Sequence, residues 1–155
     1  MDLMKLYKIK KSNIDNKGLI AAKNIKKGTK IIEYKGKLIS KKESEENPKF
    51  DNEKRIYLFE INKRYDLDGD FRFNTARLIN HSCNPNCEVA GKGLKLWIES
   101  TKDIKKGEEL SYDYGFSFDE DFKNYPCRCN SSNCCGYIVR QESRWRIKKS
   151  IEINK

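Results

Sequence analysis

Three thiols fall within eight residues in Cys127-x-Cys129-x4-Cys134. Thiolates bind zinc at about 2.3 Å, and a closed structural site takes four ligands in a tetrahedron. A fourth ligand must therefore come from elsewhere, and Cys135, Cys87 and Cys83 are the candidates. Cys135 is the poorest, because adjacent residues rarely reach one ion with good geometry. Spacing does not separate Cys83 from Cys87. A full thiolate shell leaves no open position, so the site reads as structural rather than catalytic. Six cysteines would make three disulfides only in an oxidising compartment. Met1–Lys11 has no apolar export signal, which favours a metal site and an intracellular protein.

The one histidine, His81, lies in Arg77-Leu78-Ile79-Asn80-His81-Ser82-Cys83-Asn84-Pro85-Asn86-Cys87. No serine or cysteine nucleophile motif accompanies it. The surrounding Asn, Ser and Pro residues bond local backbone, and such a polar knot suits a small polar cofactor. A second cluster runs Gly107-Glu108-Glu109-Leu110-Ser111-Tyr112-Asp113-Tyr114-Gly115. As a strand it puts Tyr112 and Tyr114 on one face. Two adjacent phenols can line a narrow channel, although this stretch alone reads as ordinary cross-strand aromatics.

The elements that must position these groups are short. A strand over Leu19–Ala22 follows a turn at Asn16-Lys17-Gly18. Lys30–Tyr34 and Lys37–Ile39 flank Gly36 and read as a hairpin. Ser40-Lys41-Lys42-Glu43 fits a capping box, so a helix starts there and ends before Pro48. Ile56–Ile61 and Leu94–Glu99 alternate as strands, and Asn74–Asn80 fits one or two helical turns. Lys23-Asn24-Ile25-Lys26-Lys27-Gly28 is echoed by Lys102-Asp103-Ile104-Lys105-Lys106-Gly107. The echo reads as one turn type used twice, with Gly supplying a positive φ. The basic segment Arg140–Lys155 fits a short helix or a frayed tail, and a solvated tail is the default reading.

At 155 residues the chain has the length of one domain, and no apolar run reaches the roughly 18 residues of a membrane span. The net charge of +10 invites an acidic partner. Lys far outnumbers Arg and no DNA-reading motif is present, so specific nucleic-acid binding is not expected. A monomer is expected.

Together these segments resemble the SET-domain lysine methyltransferases. Arg77–Cys83 is similar to the family's R-F-I-N-H-S-C signature, with Leu78 in place of Phe. Gly107–Gly115 is similar to G-E-E-L-x-[YF]-D-Y-G. The Cys127, Cys129, Cys134 pattern followed by Cys135-Gly136-Tyr137 resembles the post-SET zinc motif. Ala21–Tyr34 resembles the opening segment and Tyr57-Leu58-Phe59 the Y-L-F strand. The matches come in family order over residues 5–140. Asn16 departs from a common Gly but tolerates positive φ. Phe73-Asn74 departs from a common Gly-Asn.

The resemblance implies a mostly-β, β-clip fold of small antiparallel sheets with few short helices and a C-terminal pseudoknot. It implies a SET domain at 5–116, a post-SET zinc segment at 117–140 and a basic tail at 141–155. The segment ending in Tyr114 would thread under the loop after Asn80-His81. Cys83 would complete the zinc site of Cys127, Cys129 and Cys134, leaving Cys87 structural. The implied reaction moves a methyl from S-adenosylmethionine to the amine of a protein lysine, on a histone tail or another protein. A neutral amine attacks in line, so catalysis is mostly positioning, and no carboxylate base is nominated. Tyr114 would be the main catalytic residue, with Tyr112 and Tyr57 beside it. Cofactor contacts would come from the backbone of Lys17, Gly18 and Leu19, and from Tyr57, Arg77, Asn80 and His81. Tyr137 and the residues after it would close the site. Tyr112 at a Phe-or-Tyr position implies mono- or dimethylation. Glu43, Glu45, Glu46 and the run Asp119–Asp121 would supply acidity for a basic substrate. The rival readings are a SET-fold binding module without turnover and a small zinc protein binding nucleic acid. The implied location is nucleus or chromosome in a eukaryote and cytoplasm otherwise.

Overall fold

Alternation builds the first hairpin. Strand β1 (Tyr7–Lys11) pairs antiparallel with β2 (Lys17–Ala21), whose Leu19 and Ala21 point into the core. A computed structural model describes residues 5–50 and 57–147 of the chain. The first residue of the predicted Ile56–Ile61 strand and residues 148–155 of the basic tail lie outside them.

Three further sheets follow. Strands β3 (Lys30–Tyr34), β8 (Cys87–Lys92) and β9 (Lys95–Ser100) form an antiparallel sheet with β9 in the middle. Along β9, Leu96, Ile98 and Ser100 are buried while the residues between them are more open, the period-two signature of a half-buried strand. Strands β4 (Lys37–Ser40), β5 (Leu58–Glu60) and β6 (Tyr65–Asp68) form the third sheet, centred on β6. Helix α1 (Lys41–Glu46) starts where the capping box predicts: Ser40 Oγ accepts the Glu43 N–H at 3.1 Å. It stops at Asn47, ahead of Pro48.

The predicted hairpin across Gly36 does not form. β3 pairs with β9 and β4 with β6, so the chain changes sheets between them. A Cβ on Gly36 would overlap the Asp68 carbonyl, and the neighbouring Lys35 N–H is taken by Asn74 Oδ1 at 3.0 Å. The Gly marks a close backbone approach instead of a turn.

The fourth sheet is two residues deep. β7 (Asn80–His81) lies parallel to β10 (Ser111–Tyr112), with Ser111 opposite Asn80 and Tyr112 opposite His81. Among the described residues it is the one parallel pair beside otherwise antiparallel sheets, and it joins the two clusters that are far apart in sequence. Asn74–Asn80 supplies a single 3-10 turn, Thr75–Leu78.

The two echoed turns dock on each other. Ile25 and Ile104 exchange both backbone hydrogen bonds at 2.8 Å. Asn24 Oδ1 accepts the Lys106 N–H and Asp103 Oδ1 accepts the Lys27 N–H, each at 2.9 Å. Gly28 and Gly107 take φ of 84° and 94°.

The basic tail is not wholly solvated. Gln141–Ser143 forms a 3-10 turn, residues 144–147 are helical, and Val139, Ser143 and Ile147 are buried. Apolar side chains at 139 and 147 drive that docking, which the basic composition masked.

Candidate functional site

The loop between β1 and β2 is held from inside. Ser12 Oγ accepts the N–H groups of Ile14 at 2.8 Å and Asp15 at 3.1 Å, and Asn16 takes φ 46°. The Asn80 amide donates to Asp15 O at 3.0 Å, Lys17 O at 3.1 Å, Ser12 Oγ at 2.9 Å and Glu109 Oε1 at 3.0 Å. Asn80 therefore spends its N–H donors on ordering the loop. Glu109 also accepts the Ser12 hydroxyl, at 2.5 Å. A Cβ on Gly18 would overlap Glu109 Oε1, so glycine is what admits this carboxylate. Asn86 fixes the same region by bonding Glu109 O at 2.9 Å and the Ser111 N–H at 3.0 Å.

His81 is buried, and its Nδ1 accepts the Tyr114 N–H at 3.0 Å. Burial pushes its pKa down to about 4, against the pull of Asp113, so the ring is neutral. The Asp113 carboxylate 3.7 Å away is therefore not an ion pair with it. With Nδ1 accepting, the ring proton sits on Nε2, which faces Cys83 Sγ at 3.8 Å.

Tyr114 donates its hydroxyl to Ile79 O at 2.6 Å. Its ring centroid lies 5.0 Å from that of Tyr112 and 5.4 Å from that of His81. Burial first, then neighbouring Tyr57, raises the Tyr114 pKa above its ordinary value. Burial raises Tyr112 and Tyr34 in the same direction. The phenols are thus fixed as protonated dipoles that orient a partner and do not act as bases.

A cleft of about 460 Å³ opens over these groups, within the usual range for small-ligand sites. Lys17, Tyr57, Arg77, Asn80, His81 and Tyr114 line it. Arg77 also holds Phe71 O through Nε at 3.0 Å. Gly18 and Leu19 are not in the wall: Leu19 is fully buried, and its carbonyl accepts the Leu110 N–H at 2.8 Å. Tyr112 is buried behind the wall. Tyr137 does not reach it either, because its ring packs on Phe122 with centroids 5.0 Å apart. Ile138, just after it, does line the cleft, with Tyr125 and Pro126, tied by the Ile138 N–H to Tyr125 O at 2.8 Å. Sequence reasoning also missed Asp15 and Phe116 in the wall.

The sulfurs of Cys83, Cys127, Cys129 and Cys134 all lie within 4.8 Å of one another. A tetrahedral zinc with bonds of about 2.3 Å needs sulfurs about 3.8 Å apart, and Cys83 and Cys127 Sγ are 3.8 Å apart. The Cys83 N–H points at Cys129 Sγ and the Gly136 N–H at Cys134 Sγ, both at 3.4 Å. Burial raises the Cys83 and Cys127 pKa values, the latter to about 12. At Cys129 burial is outweighed by hydrogen bonds led by Ser131, which hold that thiol at about 6. A divalent cation is therefore needed to keep Cys83 and Cys127 as thiolates beside it. The donor set fits zinc. Cys135 Sγ turns away to Tyr137 O at 3.2 Å, and Cys87 is a buried core thiol pushed up to about 12 by burial.

Arg144 joins this knot to the tyrosine segment. Its guanidinium donates to Cys83 O at 2.9 Å, Val139 O at 3.0 Å and Asp113 Oδ2 at 3.0 Å. Asp113 also accepts the Gly115 N–H at 2.8 Å and the Gln141 N–H at 3.1 Å. No local pattern betrays this pairing, since its partners lie in different segments.

A family model described as SET domain matches residues 16–115. Histone-lysine N-methyltransferase 2D of Homo sapiens is 42% identical over 130 residues, covering 80% of this chain and 2% of that protein. The Schizosaccharomyces pombe protein named Histone-lysine N-methyltransferase, H3 lysine-4 specific, is 39% identical over 135 residues, 82% of this chain and 14% of its own length. The Arabidopsis thaliana Histone-lysine N-methyltransferase ASHR3 is 37% identical over 143 residues, 86% of this chain and 28% of its own length. The chain thus spans from 2% to 28% of these relatives.

Proposed function

This chain belongs to the SET-domain family, and on that premise we propose that it is an S-adenosylmethionine-dependent protein-lysine N-methyltransferase. The observation that carries the proposal is the Tyr114 phenol, fixed on Ile79 O at 2.6 Å in the wall of a cleft built by the β7–β10 crossing. S-adenosylmethionine supplies an electrophilic methyl on a sulfonium. Its carboxylate, amine and sulfonium suit a wall with cationic Lys17 and Arg77 beside anionic Asp15. Asn80 and Glu109 order the loop that carries Asp15 and Lys17. His81 holds the Tyr114 backbone through a neutral ring. Protonated phenols orient a neutral lysine amine, and burial keeps them from taking its proton.

Cys83, Cys127, Cys129 and Cys134 would hold zinc, which would tie segment 117–140 to the β7 knot, and Tyr125 and Ile138 of that segment line the cleft. The substrate is a lysine-bearing protein, a histone by analogy with the relatives' names, which places the protein at chromatin. No helix among the described residues is long and apolar enough to cross a membrane.

Tyr112 limits the product to mono- or dimethyl-lysine. It is buried against Tyr114 and Phe59, and its hydroxyl is the group a phenylalanine there would lack. That hydroxyl takes room near the amine. Weighing a histone peptide incubated to completion with enzyme and cofactor tests both claims. One or two added methyl groups are expected, shifting upward with Tyr112→Phe. Trimethyl-lysine from the unaltered protein contradicts the product assignment, and an unmodified peptide panel contradicts the enzyme.

A further inference from the structure

We propose that the two docked echo turns form a binding face for the phosphate backbone of duplex DNA. The turns carry Lys23, Lys26, Lys27, Lys102, Lys105 and Lys106, and all six are exposed. The turns are bonded to each other reciprocally, so cations distant in sequence share one ridge. Ile25 and Ile104 exchange backbone bonds and turn their side chains into the core, at 3% and 1% exposure. The residues flanking each isoleucine are thereby pushed outward. Asp103 and Asn24 use their side-chain oxygens on backbone N–H groups of the opposite turn. Among the described residues, none of the six ammonium groups lies within 4.0 Å of a carboxylate.

The occupant follows from what the ridge lacks. Its isoleucines are buried, and it presents no exposed aromatic, apolar or arginine anchor of the kind that dominates protein–protein interfaces. Point cations on flexible stems match phosphates without reading bases. This agrees with the absence of a base-reading motif. β2 runs from Lys17 at the cleft to Ala21, which accepts the Gly107 N–H at the ridge. Its five residues put the two sites about 13 Å apart along the strand. The choice of DNA over RNA rests on the proposed histone substrate.

The test is fluorescence anisotropy of a labelled 20-base-pair DNA duplex against the whole zinc-loaded chain, without cofactor, across sodium chloride. Because no methyl transfer is read, its failure leaves the proposed enzyme standing, and the reverse. Six phosphate contacts predict about an 1800-fold loss of affinity between 50 and 200 mM salt. Lys102→Gln, Lys105→Gln and Lys106→Gln together reduce that loss to about 40-fold. The same charge removed at the exposed residues Lys37, Lys63 and Lys92 leaves the slope unchanged. Equal slopes for the two triple variants overturn the proposal, as does no binding at 50 mM salt. Tighter binding of an RNA duplex overturns the choice of DNA. Equal competition by polyglutamate at matched charge overturns it in favour of an acidic protein.

Discussion

Arg144→Ala is expected to loosen the whole active face from a position in the basic C-terminal segment. The guanidinium is 12% exposed and makes three hydrogen bonds, one to the Asp113 carboxylate and two to backbone carbonyls. Hydrogen bonds involving charged groups contribute roughly 1.5–3 kcal/mol each when measured by deletion. Asp113 keeps two N–H partners, and its 25% exposure lets water replace part of the loss. The net cost is then about 2–4 kcal/mol, a fall in Tm of about 6–12 °C for a chain this size. Arg144→Lys keeps the charge but not the fork, so it recovers less than half. Calorimetry of the zinc-loaded protein reads the Tm, and hydrogen exchange of residues 138–147 locates the loosening. A Tm for Arg144→Ala within about 1 °C of the unaltered protein, or full recovery by lysine, refutes the reasoning.

Cys83→Ser should abolish stoichiometric zinc binding, measured by metal analysis after dialysis, while Cys87→Ser keeps the metal. Retention by the first or loss by the second reverses the ligand assignment. Stability should fall in alkali. Tyr34 and Tyr112 are raised above the ordinary 10.0 in the folded chain, so the unfolded phenols ionise first. Their stabilisation is full below pH about 10 and is lost as pH rises beyond it. Thermal melts across that range should show the loss, and Tyr34→Phe should reduce it; a flat profile contradicts it.

Motif segments were legible where a single stretch carries both the element and its cap. Ser40 and Glu43 mark α1, and Leu96 and Ile98 mark β9 within the expected Leu94–Glu99. The Gly36 hairpin was misread because a glycine that admits a neighbouring backbone looks the same as one that turns. Asn80 lines the cleft, but its amide also orders the loop through four partners in two segments, Ser12 to Lys17 and Glu109, and no local pattern holds that information. The echo was visible as a repeat, yet only the paired bonds of Ile25 and Ile104 reveal that its copies meet. Of Tyr137 and the residues after it, expected to close the cleft, Ile138 lines it while the Tyr137 ring packs on Phe122. The bridge that pairs Pro126 with Tyr137 brings Tyr125 and Ile138 inward.

The most direct test is methyl transfer from labelled S-adenosylmethionine into histones and basic cellular proteins, with Tyr114→Phe beside the unaltered chain and cofactor binding measured by calorimetry. The account predicts label in a substrate lysine, lost by about 100-fold or more in the variant through misorientation of the reacting groups, with cofactor affinity kept. Equal transfer by Tyr114→Phe, or no transfer and no cofactor binding by the unaltered protein, contradicts it.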